Sequence, residues 1–313
     1  MILYSKKPLV SIIIPSYNQG KFIRETIDSC LNQDYRPIEI LVMDGGSKDE
    51  TLAVLKSYDA PELVWVSEPD KGVVDAANKG MVRAMGDIIT IQSSDDVFLP
   101  GAITIAVETL LQDAALGLVY GDVELIDEHS NLIGADIQGE FDFADYLGRL
   151  QYIPQPGTCF TRTAMLATGH WRDGISYVAD ADYWMRIASK FNVKKMPRLV
   201  ARYRYHSEQR DTQQAKIARD WSGAVNDLLA SGVLDAKQEK YARMGIQLAH
   251  YRYADKTDWK LRTRKLYAAV FANPGVVIDS RFPKRELLPG RDPIWSILSR
   301  IKRKLGFKAR SSK

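Results

Sequence analysis

The fold is decided by the stretch VSIIIPSYNQGKFIRETIDSCLNQDYRPIEILVMDGGSKDET, residues 10–51. It opens on a β-branched run at 10–14, broken only by the small Ser11, which predicts a strand buried on both faces. Ile23, Ile27, Cys30 and Leu31 then recur at helical spacing over 22–31, and a second apolar strand follows at 38–43. Strand, helix and strand in this order predict a parallel pair joined by a right-handed crossover. The alternation continues outward. Residues 49–58 read as a helix with Leu52 and Leu55 inward, and 63–66 as a strand. A stripe of Val74, Ala77, Met81 and Ala84 marks a further helix, and 88–91 a fourth strand. The predicted fold class is α/β, a mostly parallel sheet with flanking helices.

The pattern changes after Pro100. A helix is expected at 102–111. Residues 118–126, interrupted by Gly121 and Asp122, read as a mixed or edge strand, and 128–131 as a polar turn. Residues 151–205 are dense in aromatics and prolines and suggest loops packed over a site. Beyond His206 the chain is helical and charged, so the expected organisation is an α/β domain over 1–210 and a basic helical C-terminal extension over 211–313.

With 313 residues, 45% apolar and 26% charged, the chain has the composition of an ordinary soluble protein. Its two cysteines, Cys30 and Cys159, lie far apart, which excludes a disulfide scaffold and a cysteine zinc site and suits a reducing cytoplasm. Neither a secretory signal nor a run of ~18 apolar residues is visible. Residues 285–313 hold nine Lys/Arg against two acids, a balance of +7, leaving −3 for the remainder of the +4 chain. Within them, PIWSILSRIKRKLGF (293–307) sets Ile294, Ile297, Leu298, Ile301 and Leu305 on one helical face beside Trp295 and four cations. That is the pattern of a helix lying on an anionic membrane surface, or of a docking helix followed by a solvated tail. Basic residues confined to one end, without a recognition motif, give no nucleic-acid reading.

In open α/β sheets, ligands bind outside the carboxyl ends of the strands. Three polar clusters fall there: Pro15-Ser16-Tyr17-Asn18, Asp44-Gly45-Gly46-Ser47 and Ser93-Ser94-Asp95-Asp96. Each alone is a turn or helix cap; together on one rim they point to a site. Dinucleotide and phosphate-loop glycine motifs are absent. An aromatic platform at Tyr17 and carboxylates at the fourth strand end suit a nucleoside diphosphate held with a hard divalent cation, Mg²⁺ or Mn²⁺.

These stretches resemble the family 2 glycosyltransferases of the GT-A fold, in the group that builds bacterial surface polysaccharides. The resemblance is carried by residues 10–51 and by SEPDKGVVDAANKGMVRAMGDIITIQSSDDVFLPGAI (67–103), YVADADYWMRIA (177–188) and RYRYHSEQRD (202–211). It covers about residues 8–210. It implies an inverting transfer of a sugar from a nucleoside-diphosphate donor, UDP-sugars favoured, to a glycan or lipid-linked acceptor, by a cytoplasmic enzyme that can sit on the inner face of the membrane.

Residue by residue, the resemblance implies that Pro15, Ser16 and Tyr17 hold the base and that Asp44 accepts from a base N–H. Asp70 lines that pocket or forms its turn, and Ser94 borders the donor. Asp95 matches the last acid of a D-x-D motif and would ligate the metal; Ser93 stands where the first acid is usual. His206 would reach the metal or the diphosphate. Asp180 matches the catalytic base, with a helix N-cap as its alternative role and Asp182 as the competing base. Arg202 and Arg204 would share a strand face and neutralise phosphate. Asp96 would orient its loop and cap the helix beyond Pro100. Gln155, Thr158 and Trp171 fall on the acceptor side. A sugar-phosphate nucleotidyltransferase and a catalytically impaired nucleotide-sugar-binding scaffold are the rival functions. The first lacks its glycine-rich loop here; Asp44, Asp95, Asp180 and His206 speak against the second.

Overall fold

The structure, a computed structural model, describes residues 7–206, 214–254 and 258–275. β1 (Val10–Ser16), β2 (Ile38–Asp44), β3 (Leu63–Ser67) and β4 (Ile88–Ile91) form a parallel block in the order β3-β2-β1-β4. Their crossovers are α1 (Ile23–Leu31), α2 (Thr51–Lys56) and α3 (Val73–Arg83). α2 is shorter than its apolar pattern because Asp49 folds back: its carboxylate accepts from Gly20 N at 2.8 Å and Thr51 N at 3.0 Å. That starts the helix at Thr51 and ties it to the loop after β1.

β5 (Val97–Phe98), α4 (Ala102–Leu111), β6 (Leu116–Ile126) and β7 (Leu132–Asp136) follow, then α5 (Phe143–Arg149), β8 (Cys159–Thr161), α6 (Arg162–Thr168), α7 (Ala179–Ala188) and β9 (Asn192–Arg204). The sheet continues β4-β8-β6-β9-β5, with β7 beside β6. β6 is mixed, antiparallel to β8 and parallel to β9, but it is central rather than an edge. Gly121 permits this, because a Cβ there would lie 2.7 Å from Val200 Cγ1. Asp122 is neutralised inside the sheet by Lys195 at 2.9 Å.

The segment expected to be loops thus carries two helices and the long strand β9. Lys194, Lys195, Pro197 and Arg198 disguise that strand. Its ladder steps from Tyr120↔Lys195 to Asp122↔Leu199, so that Pro197, which has no N–H to donate, falls in the skipped stretch.

The sheet separates two cores, and β1 supplies both. Ile13 enters one with Leu41, Ile91 and α3; Ile12 and Ile14 enter the other with Ile40, Val42, α1 and α4. Cys30 and Cys159 sit in the second, where burial pushes both thiols up to about 12 and leaves them packing residues. α8 (Gln214–Ala230), α9 (Ala236–Arg252) and α10 (Trp259–Ala272) extend the first core: Trp221, Leu228, Met244 and Leu248 pack with Tyr146, Leu147 and Trp184. α9 begins with a reciprocal Asp235–Gln238 capping box. The expected boundary near residue 210 and the 293–307 segment both lie outside the described residues.

α9 lies against α5 through Gly245, where a Cβ would run into the Leu147 carbonyl oxygen. In an open helix Gly→Ala stabilises by about 1 kcal/mol. Here the overpacking outweighs it, so Gly245→Ala should lower stability by about 1–3 kcal/mol in one cooperative thermal transition. A midpoint that stays or rises would contradict the close approach.

Candidate functional site

The rim is built by hydrogen bonds between the loops that leave β1 and β2. Ser16 and Asp44 are partners in register, and Ser16 O accepts from Gly45 N at 2.8 Å. Asn18 holds φ 52, a left-handed conformation that asparagine tolerates. Its N–H donates to Ser47 Oγ at 2.7 Å and its side-chain oxygen accepts from Lys48 N at 2.9 Å. These contacts fix Tyr17 between buried Ser16 and Asn18 while leaving the phenol ring 57% exposed on the rim. Pro15 and Ser94 are buried behind it.

Asp44 is held below the rim surface. It is 2% exposed, and its Oδ2 accepts from Gly46 N at 3.1 Å, Ser47 N at 3.0 Å and Ser67 Oγ at 2.6 Å, while Oδ1 accepts from Ser47 Oγ. A carboxylate offers about four lone-pair sites, and this one spends them on its own turn. Asp70 is placed differently. Its Oδ1 accepts from Gly72 N at 2.7 Å, and Oδ2 lies over Gly45, 2.5 Å from where a Cβ would be. Asp70 therefore both forms its turn and presents an oxygen to the rim.

At the end of β4, Asp95 meets His206, Oδ2 to Nε2 at 2.9 Å, with both side chains largely buried. The neighbouring Asp96 is buried. Its Oδ1 accepts from Arg204 N at 2.9 Å and its carbonyl from Thr26 Oγ1 at 2.8 Å, so it orients the loop. Burial, then the Asp95 charge, hold its carboxyl well above the usual range. It does not cap α4, whose N-cap is Gly101 without a side-chain bond. Arg204 is likewise no phosphate ligand: it is 1% exposed and donates to Asp95 O at 2.7 Å, Asp127 O at 3.1 Å, Ser130 Oγ at 2.8 Å and Glu25 Oε2 at 2.6 Å. Arg202 is paired with Glu124 at 2.8 Å. The ring of Phe22 lies 4.9 Å from both the guanidinium of Arg204 and the imidazole of His206.

Among the described residues, no three His, Cys, Asp or Glu side chains gather to hold a metal ion. Asp95 and His206 nonetheless converge as an oxygen and a nitrogen donor, a pair that suits Mn²⁺ better than the oxygen-preferring Mg²⁺. They fit as part of a coordination sphere completed from outside the protein. Beside them opens a cleft of about 540 Å³ lined by His206, Phe22, Asn18, Lys21 and Lys48 and by the acids Asp49, Glu50 and Glu128, the last paired with Lys21 at 2.7 Å. The two lysines went unmarked in the sequence, where only their position just past strands β1 and β2 hints at a place on the rim.

Asp180 is half-buried on the first turn of α7, whose N-cap is Val178 without a side-chain bond, so the capping role falls away. A negative charge there is favoured by the helix dipole. Asp182 is 1% exposed, with both oxygens engaged by Arg172 and Arg186. Tyr146 lies close to both carboxylates; burial and then the Asp180 and Asp182 charges push its phenol well up.

Of the residues expected on the acceptor side, Gln155 donates to Ile91 O at 3.2 Å, holding its loop to the end of β4. Thr158 is 1% exposed and bonded to Pro154 O. Trp171 is 4% exposed in the core, its backbone held by Asn78. Neither offers a face to a sugar: packing between α3 and α7 took the tryptophan, and a tight turn took the threonine.

Comparison with known proteins matches this frame. A glycosyl transferase family 2 profile covers residues 11–172, just over half of the chain. Chondroitin synthase of Escherichia coli is 28% identical over 75% of this chain and 34% of its own length, and hyaluronan synthase of Pasteurella multocida 26% identical over 69% and 22%. The chain therefore spans about a third or less of these relatives. In structure it resembles Staphylococcus aureus TarS 1–349 in complex with UDP-GlcNAc, with a TM-score of 0.64 at 14% identity, covering 89% of this chain and 83% of that one. It also resembles the mannosyltransferase PcManGT of Pyrobaculum calidifontis in complex with GDP-Man and Mn²⁺, with a TM-score of 0.61 at 17% identity, covering 97% and 82%. These likenesses show the GT-A fold, and with the profile match they establish that the chain belongs to glycosyl transferase family 2.

Proposed function

We propose that the chain transfers a sugar from a nucleoside-diphosphate donor, UDP-sugars favoured, to a hydroxyl of a glycan or lipid-linked acceptor in bacterial surface polysaccharide synthesis, with inversion at the anomeric carbon. The observation that carries this reading is the contact between Asp95 and His206 at the end of β4, on the same rim as exposed Tyr17 and the Asp70 oxygen that lies over Gly45. Relatives named for glycosaminoglycan synthesis and fold neighbours complexed with UDP-GlcNAc and GDP-Man point the same way.

In this reading Tyr17 stacks on the base, and Asp70, not the saturated Asp44, accepts from a base N–H. Ser16 and Ser94 back the nucleotide, and Lys48 places a cation at the cleft, where Lys21 is paired with Glu128. Asp95 and His206 would hold Mn²⁺ or Mg²⁺, which as a Lewis acid neutralises the departing diphosphate. Asp180 takes the proton of the acceptor hydroxyl as its oxygen attacks the anomeric carbon from the face opposite the diphosphate. One carbon–oxygen bond forms as the other breaks, and the electron pair leaves with the nucleoside diphosphate. Asp182, engaged by two guanidinium groups, serves to fix the start of α7. That favours Asp180 as the base.

Asp180→Asn should reduce transfer about 10²–10⁴-fold, the usual worth of a positioned base, with nucleotide affinity nearly unchanged. A donor screen monitored by nucleotide release, followed by isothermal titration of the nucleotide, checks both; full activity in this variant would move the base elsewhere. Asp95→Ala should instead weaken nucleotide binding only when Mn²⁺ is present. Equal affinities of the variant and the parent in Mn²⁺ would remove Asp95 from the metal site.

A further inference from the structure

The chain is electrically polarised. Residues 1–235 hold 23 Lys/Arg against 33 Asp/Glu, whereas residues 236–313 hold 20 against 6, net charges of −10 and +14. Part of that positive charge lies on α10, WKLRTRKLYAAVFA, which has four cationic residues and no acid. One face of α10 packs inward through Leu266 and Ala269. The other carries Lys260, Arg264, Tyr267 and Phe271, a spacing of four, three and four that sets them in one exposed stripe. Tyr267 is 42% exposed. Phe271, at 89%, is the most exposed large apolar side chain among the described residues. Beside the stripe, α8, α9 and α10 enclose a cleft of about 820 Å³ with Leu229 and Ile246 in its wall and Arg243 at its edge.

We propose that this face of α10 is a docking surface for an anionic membrane. Phe271 and Tyr267 enter the boundary between headgroups and acyl chains, and Lys260, Arg264 and Arg243 face lipid phosphates. Cations and exposed aromatics on one helix face suit an anionic headgroup layer and the acyl boundary just beneath it. A second copy is a poor occupant, because an isologous contact would oppose two α10 helices that each carry four cations and no acid. No helix among the described residues is long and apolar enough to cross a membrane, so the contact lies on the surface. This inference does not depend on the donor or acceptor proposed above.

The test is co-sedimentation of the full chain with vesicles of phosphatidylcholine alone or mixed equally with phosphatidylglycerol. Binding should require phosphatidylglycerol and fall as salt rises. Each cation near such a surface contributes about fivefold to partitioning, so Lys260→Glu with Arg264→Glu should weaken it by at least about 25-fold. Phe271→Asp should abolish the fraction that survives high salt, and the exposed positions should leave the thermal midpoint unchanged. The proposal is overturned if the parent ignores phosphatidylglycerol vesicles. It is equally overturned if all three changes leave binding intact, which would move the contact to the 294–305 stripe, or if light scattering shows a dimer that Phe271→Asp dissociates.

Discussion

A single buried guanidinium holds the candidate site together. Arg204 ends β9, yet its donors reach the carbonyl of Asp95 after β4, the carbonyl of Asp127 and hydroxyl of Ser130 after β6, and the carboxylate of Glu25 on α1. Removing a guanidinium from water costs several kcal/mol unless its N–H groups are matched by acceptors. Those acceptors meet only when four segments hold one arrangement, so the cost of burial becomes a constraint on geometry. His206 follows two residues later, and its imidazole arrives beside Asp95 because the strand before it is pinned. Phe22 packs against both Arg204 and His206.

The same logic separates the parts of the molecule that stay fixed from the parts that face ligand. Polar groups under the rim are consumed by one another: Asp96 by Arg204 N and Thr26, Asp182 by Arg172 and Arg186, Asp122 by Lys195. What is left at the rim is a short set: the phenol of Tyr17, one oxygen of Asp70, the largely buried Asp95–His206 pair and Lys48 of the cleft. A preorganised site needs this division, since groups that bind a charged donor must not also be the ones that hold the loops.

The first 103 residues were legible because a parallel sheet covered on both faces writes itself as solid apolar runs, and its helices as stripes. β9 was not, since Pro197 and three cations, Lys194, Lys195 and Arg198, interrupt a strand whose neighbours accommodate them by a register step and an ion pair. The site divided similarly. The sequence placed the polar clusters on one rim because strand ends do so by topology. It could not say which members face the ligand. Arg204 was read as a phosphate ligand from alternation along a strand, but its acceptor on Glu25 is 179 residues away. Trp171 and Thr158 have the chemistry of sugar contacts and the burial of core residues, a distinction that only tertiary packing makes.

Asp44 and Asp70 show how the distinction can be drawn once coordinates exist. Both are carboxylates after strands of the parallel block, and in the sequence Asp44 is the stronger candidate. Counting acceptors reverses the order. Asp44 receives four donors from residues 46, 47 and 67 and shapes the turn. Asp70 receives one, and its second oxygen lies in the space that any side chain at position 45 would fill. Gly45 and Asp70 therefore imply one another. A carboxylate can reach the rim from the loop before α3 only because the residue after Asp44 has no side chain. An aspartate at 45 would compete with Asp70 for one volume and set two negative charges in contact, a repulsion the site avoids by supplying its outward carboxylate from a single loop.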